Sequence, residues 1–223
     1  MKIIICNSKK WFKLKDATLS SCELLEIKEP NTLTIANLRE FEPDIVFFPH
    51  WSWVVDEEIF SNFKCVVFHA APLPFGRGGS PIQNLVLRGF KSTPVCAIKM
   101  DKGVDTGPIY DKRLISLEGS LSQILGRLNT VVNELIQELI IKLPQPKPQV
   151  GEVYNFTRLT IKDNELRPDL SFEEIYDRIR MLDDQSYPSS YVNFGNVIFE
   201  FSDVCKLDSE LTCKVRIMKK GKL

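Results

Sequence analysis

Residues 65–81, CVVFHAAPLPFGRGGSP, contain the transition that decides the fold. They begin with a short apolar run, which is typical of a strand covered on both faces. His69 follows at the C-terminal end of that strand, and prolines then fix the backbone of the next turn. Glycines lead from there to Ser80-Pro81, where a helix is expected to begin. Because ligands bind at the C-terminal strand edge of open α/β sheets, we expect a functional site around His69.

Similar patterns on both sides of this unit predict an α/β protein. Helical spacing marks Thr32–Phe41, with Asn31 or Thr32 as a cap, then Ser80–Gly89, and Ser120–Leu143, which Ser120 caps and Pro144 ends. Further strands are expected at Ile3–Cys6, Cys22–Ile27, Asp44–Phe48, Thr93–Met100 and Pro108–Leu117. Strands that alternate with helices predict a doubly wound, mainly parallel sheet.

The proline-rich segment 144–150 predicts a domain boundary. We expect a catalytic domain over residues 1–143 and a small α+β unit over residues 151–223 that packs on it. In this unit, Ser171 and Glu174 form a capping-box pattern that opens a helix. Alternating residues around Gly195-Asn196 predict a β-hairpin, with a third strand at Cys213–Met218.

The charge balance and the cysteines restrict the class of protein. The chain has 29 basic and 29 acidic residues, so a broad basic surface for nucleic acid is not expected. None of the six cysteines forms a CxxC pair, which argues against a zinc site or a disulfide framework. The N-terminus enters a strand at once, and no apolar run is long enough to span a bilayer. We expect a reduced, cytoplasmic protein without a metal or a membrane partner.

A second candidate site is the loop Asp101-Lys102-Gly103-Val104-Asp105-Thr106-Gly107-Pro108. It places two carboxylates between two expected strands, with glycines near both. Carboxylates in such a loop can orient a histidine or accept a proton. The alternative is a tight surface turn, in which Asp and Gly are common.

Together, HAAPLPFGRGGSP (69–81) and KMDKGVDTGPIY (99–110) resemble the formyltransferase family, which includes methionyl-tRNA formyltransferases and sugar N-formyltransferases. The resemblance implies a Rossmann-like core and transfer of a formyl group from 10-formyltetrahydrofolate to an amine. His69 matches the family's catalytic histidine and Asp105 its catalytic aspartate. Arg77-Gly78 matches the family's Arg-Gly pair.

The chain departs from the family pattern close to His69. The family's asparagine corresponds to Val67, and its serine corresponds to Ala71. That asparagine donates to the oxyanion, and losing such a donor typically lowers the rate by about 100- to 1000-fold. Asn84, in the helix that follows, is a candidate replacement, although it is equally plausible as a helix-surface residue.

The resemblance also implies binding residues. A flat apolar wall for the folate ring is expected from the tryptophans after the third strand, although packing under the loop is an equal alternative. Residues expected to bind the cofactor are Trp51, Trp53, Arg77, Gly78, Gly103 and Val104. Residues expected to bind the acceptor substrate are Gln83, Arg180 and Tyr187.

The short C-terminal unit and the balanced charge favour a small acceptor, the amino group of a nucleotide-linked amino sugar. A methionyl-tRNA formyltransferase-like enzyme is the first alternative. Because Val67 stands in place of the asparagine, a non-catalytic relative that binds a folate or a nucleotide sugar is the second. Apolar strands in the C-terminal unit also allow a homodimer.

Overall fold

A six-stranded sheet forms the centre of the computed structural model, which describes residues 1–15 and 22–221. The elements of this part are β1 (Lys2–Asn7), β2 (Glu23–Ile27), α1 (Ile35–Phe41), β3 (Ile45–His50), α2 (Glu57–Asn62), β4 (Cys65–His69), β5 (Phe75–Gly78), α3 (Pro81–Val86), β6 (Ser92–Lys99), β7 (Ile109–Ser116) and α4 (Leu121–Ile141). The sheet order is β2-β1-β3-β4-β6-β7. The first four strands in this order, β2, β1, β3 and β4, pair in parallel. Strand β6 runs antiparallel to both of its neighbours, β4 and β7. The prediction of a mainly parallel α/β sheet is confirmed.

Helices cover both faces of this sheet. On one face, α3 and α4 bury a large apolar cluster that includes Phe47 and Val66. On the other face, Leu38 of α1 and Ile59 of α2 pack against Phe48 and Cys65. Neighbouring strand residues alternate between the two clusters, as the period of a strand requires. The sheet is therefore doubly wound.

The helix boundaries show how the caps act. Helix α4 begins after Ser120, which caps it as expected and also forms a capping box with Gln123. Helix α1 begins later than predicted, because the side chain of Thr34, not that of Asn31 or Thr32, accepts the backbone N–H of Asn37. Helix α3 ends at Val86, which is earlier than predicted.

The glycine-rich segment before α3 forms a strand, which the sequence did not predict. Strand β5 pairs with a later strand, β8 (Tyr154–Phe156). A Cβ added to Gly78 would lie 2.7 Å from the carbonyl oxygen of Phe156, and one added to Gly79 would lie 2.5 Å from Cβ of Arg158. These glycines therefore allow the chain to pack against residues 156–158.

The proline-rich segment pairs with the sheet in the structure. Lys147 exchanges two backbone hydrogen bonds with Ile109 at the start of β7, at 2.7 and 2.8 Å. Beyond it lie β8, α5 (Phe172–Arg180), β9 (Ser190–Phe194), β10 (Val197–Lys206) and β11 (Leu211–Lys219). The last three form an antiparallel sheet in the order β11-β10-β9, so the predicted hairpin and third strand are confirmed.

The C-terminal unit is joined to the core at the end of α5. Met181 and Leu182 belong to the same buried cluster as α4. Arg180 is buried and donates from Nη1 to the carbonyl oxygens of Leu117 and Gly119, at 2.6 and 2.9 Å. Among the helices that the structure describes, none is long and apolar enough to cross a bilayer.

Candidate active site

His69 and Asp105 meet at the C-terminal end of β4. His69 is 7% exposed, and its Nδ1 lies 3.3 Å from Oδ2 of Asp105. Its Nε2 lies 2.7 Å from the carbonyl oxygen of Gly76. The backbone N–H of Gly78 donates to the same Oδ2 at 2.9 Å. The structure thus brings the first candidate site and the second together.

These contacts fix the orientation of the imidazole ring. The carbonyl of Gly76 can only accept a hydrogen bond, so it holds Nε2 of His69 on one side. Nδ1 faces the carboxylate of Asp105 on the other side. An imidazole beside a carboxylate is a combination that general acid–base catalysis uses.

The loop that carries Asp105 is tightly constrained. Asp105 has a φ of 53°, a conformation that residues other than glycine seldom adopt. A Cβ on Gly107 would lie 1.7 Å from the carbonyl oxygen of Lys99. Asp101 accepts from the N–H of Gly103 and from the hydroxyl of Thr106, so this second carboxylate braces the loop.

An apolar wall lies on the same face of the sheet as His69. Trp51 and Val67 pack at the edge of the cluster that contains Phe48. The rings of Trp51 and Trp53 have centroids 5.0 Å apart, and Trp53 is 42% exposed. Nε1 of Trp51 is buried with no hydrogen-bond partner within the described residues.

The outer part of the Asp105 loop projects into solvent beside the pair. Val104 is 70% exposed. Gly103, next to it, is exposed as well. An exposed loop backbone and an indole wall suit a flat heteroaromatic ring, which needs apolar stacking and hydrogen bonds at its edge. The residues present thus fit a pterin ring.

Arg77, which was expected to bind the cofactor, contacts a residue outside both motifs. Its Nε and Nη2 donate to Oε1 of Gln149, at 3.1 and 2.7 Å. Sequence reasoning missed Gln149, because it lies in the segment that was interpreted as a linker. A glutamine between prolines carries no signal of its own.

Asn84 does not act as the expected oxyanion donor in this structure. Its Nδ2 lies within 3.0–3.1 Å of three backbone carbonyl oxygens, those of Gly79, Ser80 and Thr157. An amide nitrogen has two hydrogens, so these acceptors already exceed its capacity. The side chain ties α3 to the segment that follows β8, and it neither lies on the helix surface nor points into the cleft.

The residues expected to bind the acceptor lie in two different places. Arg180 is buried against Leu117 and Gly119, with Nε 2.6 Å from Oδ1 of Asp177, so it is not available to a diphosphate. Gln83 and Tyr187 lie together. Burial, followed by Asp184, raises the pKa of the Tyr187 phenol, and the Gln83 side chain acts in the opposite direction.

His50, the other histidine of the chain, is half-buried among aromatic side chains. Its ring packs against Trp11 at 4.1 Å and Phe12 at 5.5 Å between centroids. Burial, with a smaller effect from Lys9, lowers the pKa of His50 to about 3. It is neutral near pH 7, and His69 is the histidine placed for chemistry.

Comparison with known proteins identifies the family. A family model described as formyl transferase matches residues 3–139. Another, described as the C-terminal domain of methionyl-tRNA formyltransferase, matches residues 161–218. The chain is 31% identical over 170 residues to the methionyl-tRNA formyltransferase of Thermodesulfovibrio yellowstonii, covering 73% of this chain and 54% of that protein. The chain spans about half the length of the sequence relatives it matches.

Solved structures give the same result. A methionyl-tRNA formyltransferase from Clostridium thermocellum superimposes with a TM-score of 0.94 at 41% identity, over 99% of this chain and 100% of that one. A 4-N formyltransferase from Francisella tularensis shares the fold, with a TM-score of 0.67 at 15% identity, over 87% and 93% of the two chains. The first family model covers more than half of the sequence, including both motifs. The chain therefore belongs to the formyl transferase family.

Proposed function

We propose that this protein transfers a formyl group from 10-formyltetrahydrofolate to a primary amine. The observation that carries the proposal is the 3.3 Å contact between Nδ1 of His69 and Oδ2 of Asp105 at the C-terminal end of β4. Membership of the formyl transferase family supports it. The wall formed by Trp51 and the exposed Trp53 provides the folate site together with the loop at Gly103 and Val104.

The reaction needs a proton to move between two nitrogens. 10-Formyltetrahydrofolate supplies the formyl group and leaves as tetrahydrofolate. The acceptor amine must be neutral to form the new C–N bond, and it loses a proton as it does so. The His69–Asp105 pair accepts that proton and returns it to the leaving nitrogen, whose C–N bond breaks. Gly76 holds the imidazole in one orientation during both transfers.

We propose methionyl-tRNA as the acceptor. This choice rests on the 41% identity to a methionyl-tRNA formyltransferase over nearly the whole chain. It differs from the sequence-based expectation of a nucleotide-linked amino sugar and of no nucleic-acid partner, which relied on the balanced charge. One observation still favours the amino sugar as the second candidate. Basic side chains of the C-terminal sheet pair with acids, Lys214 with Asp203 and Arg216 with Glu200, which reduces their attraction for RNA.

The test is a formyl-transfer assay with 10-formyltetrahydrofolate and two kinds of acceptor, methionyl-tRNA and nucleotide-linked amino sugars. We expect His69→Ala and Asp105→Asn to lower turnover by about 100- to 10,000-fold. Asp208→Asn, at an exposed turn, is the matched control and should keep full activity.

Four outcomes are informative. Formylation of the tRNA alone supports the first acceptor, and formylation of an amino sugar alone supports the second. Tetrahydrofolate binding without turnover of any amine would favour the non-catalytic interpretation. Full activity in His69→Ala would rule out the assigned role of the pair.

A further inference from the structure

Gln149 makes four hydrogen bonds around the catalytic pair, although it lies outside both sequence motifs. Its Oε1 accepts from Nε and Nη2 of Arg77, at 3.1 and 2.7 Å. Its Nε2 donates to the carbonyl oxygens of Asp105 and Gly107, both at 2.8 Å. All the hydrogens and the acceptor of one side-chain amide are thus used.

The two sides of this amide hold the two pieces of chain that shape the site. On one side is Arg77, which lies between Gly76 and Gly78 in the sequence. The carbonyl of Gly76 contacts His69, and the N–H of Gly78 donates to Asp105. On the other side is the loop of Asp105, whose positive φ needs support from its surroundings. Gln149 therefore couples the position of the imidazole to the position of the carboxylate.

The support of Gln149 is itself rigid. Lys147 is fixed to Ile109 by two backbone hydrogen bonds, and Pro146 and Pro148 restrict the backbone on both sides of it. The amide is therefore delivered from a segment anchored to β7, immediately beside the loop it holds. Second-layer residues of this kind fix the rotamers of reacting groups.

We propose that Gln149 is a positioning residue that keeps the Asp105 carboxylate in place beside the His69 imidazole. This inference rests on the proposed function, because it concerns the efficiency of the same pair. Gln149 acts through the Asp105 carbonyl and through Arg77, and it does not itself touch the reacting atoms.

The experiment compares Gln149→Leu, which removes all four bonds, with Gln149→Glu, which keeps an acceptor for Arg77 but replaces the donor to Asp105 and Gly107. We expect both variants to lower kcat by about 10- to 100-fold, because small misplacements of catalytic groups have effects of this size. Tetrahydrofolate affinity should change less than twofold. Gln145→Leu, at an exposed position of the same segment, is the matched control and should leave kcat unchanged.

A double-variant comparison separates positioning from a merely structural role. If Gln149 works through Asp105, then Gln149→Leu should have little further effect on kcat in the Asp105→Asn background. An equal loss of kcat in both backgrounds would overturn the proposal. So would wild-type kcat in a folded Gln149→Leu variant.

A second readout does not depend on turnover. The chain contains two histidines, so the imidazole NMR signals of His69 and His50 can be followed separately. In Gln149→Leu, the His69 signals should move in the same direction as in Asp105→Asn, while those of His50 stay in place. If the wild type formylates no amine, the proposed function fails, whereas the NMR signals still decide the role of Gln149. Unmoved His69 signals would overturn it.

Discussion

Val67 stands where the resemblance to the formyltransferase family implies an asparagine. Strand residues two apart share a face, so Val67 lies on the same face of β4 as His69. It packs half-buried against Leu73 and Ile98. An apolar side chain therefore occupies, on the His69 face of β4, the position at which the resemblance implies an amide donor.

Restoring the amide tests what its loss means. We expect Val67→Asn to raise kcat by about 10- to 100-fold, since a single oxyanion donor contributes an effect of about that size or larger. We also expect it to lower the free energy of unfolding by about 1–3 kcal/mol, because an amide enters partly apolar surroundings. Formyl-transfer kinetics and urea denaturation measure the two effects.

Val66→Asn is the control, because Val66 is buried on the opposite face of the same strand. It should destabilise the protein without raising kcat. If a folded Val67→Asn variant has wild-type kcat, then another group already donates to the oxyanion.

His50 makes the stability of the protein sensitive to acid. Its pKa is lowered from 6.5 to about 3 in the folded protein, chiefly by burial. Between pH 6.5 and about pH 3, His50 binds a proton in the unfolded chain but not in the folded one. The free energy of unfolding therefore falls as the pH falls through this range. From pH 7 to pH 5 we expect His50 to contribute a loss of about 2 kcal/mol in the free energy of unfolding.

Urea denaturation at pH 7, 6 and 5 measures this contribution. His50→Phe keeps an aromatic ring between Trp11 and Phe12 but cannot titrate, so its stability should fall less steeply with pH. The comparison uses slopes, so any packing defect of the variant cancels. Parallel slopes in the two proteins would show that His50 is not the source.

At the level of elements, the sequence predicted what depends on local pattern. The apolar period of α4, the cap at Ser120, the capping box at Ser171 and the hairpin at Gly195-Asn196 all lie where they were expected. The sequence did not predict helix α2, which has six residues. It also did not predict that β5 pairs with the three-residue strand β8. Short elements bury too few side chains to leave a period, and the partner of β5 is distant in sequence.

The site shows the same division between local and distant signals. His69 and Asp105 carry motifs, and the structure brings these residues together. Asn84 and Arg180 are polar residues on helices, and sequence alone does not reveal that their partners are buried carbonyl groups. Gln149 reaches Asp105 only because Lys147 folds back on Ile109.

At the scale of the whole molecule, the C-terminal unit shares a core with the catalytic part. Strand β8 pairs with β5 directly after the His69 loop. Met181 and Leu182 complete the cluster around α4, and Arg180 satisfies the carbonyl groups just before that helix. The junction therefore supports both the active-site strand and the longest helix.

Arg180 is the residue through which this coupling can be tested. Arg180→Met removes three hydrogen bonds and leaves Asp177, whose side chain is 17% exposed, without its cation. We expect the free energy of unfolding to fall by about 3–5 kcal/mol, as when one partner of a buried ion pair is removed. Arg167→Ala, at an exposed ion pair, should change it by less than about 1 kcal/mol.

Two probes of the same denaturation decide whether the parts unfold together. All three tryptophans lie in the first 53 residues, so their fluorescence reports only on the catalytic part. Far-UV circular dichroism reports on both parts. Because Arg180 binds carbonyl groups that precede α4, its loss should shift both transitions to lower urea concentration by the same amount. If the fluorescence transition stays in place while the dichroism changes, the C-terminal unit unfolds on its own, and the shared core does not couple the two parts.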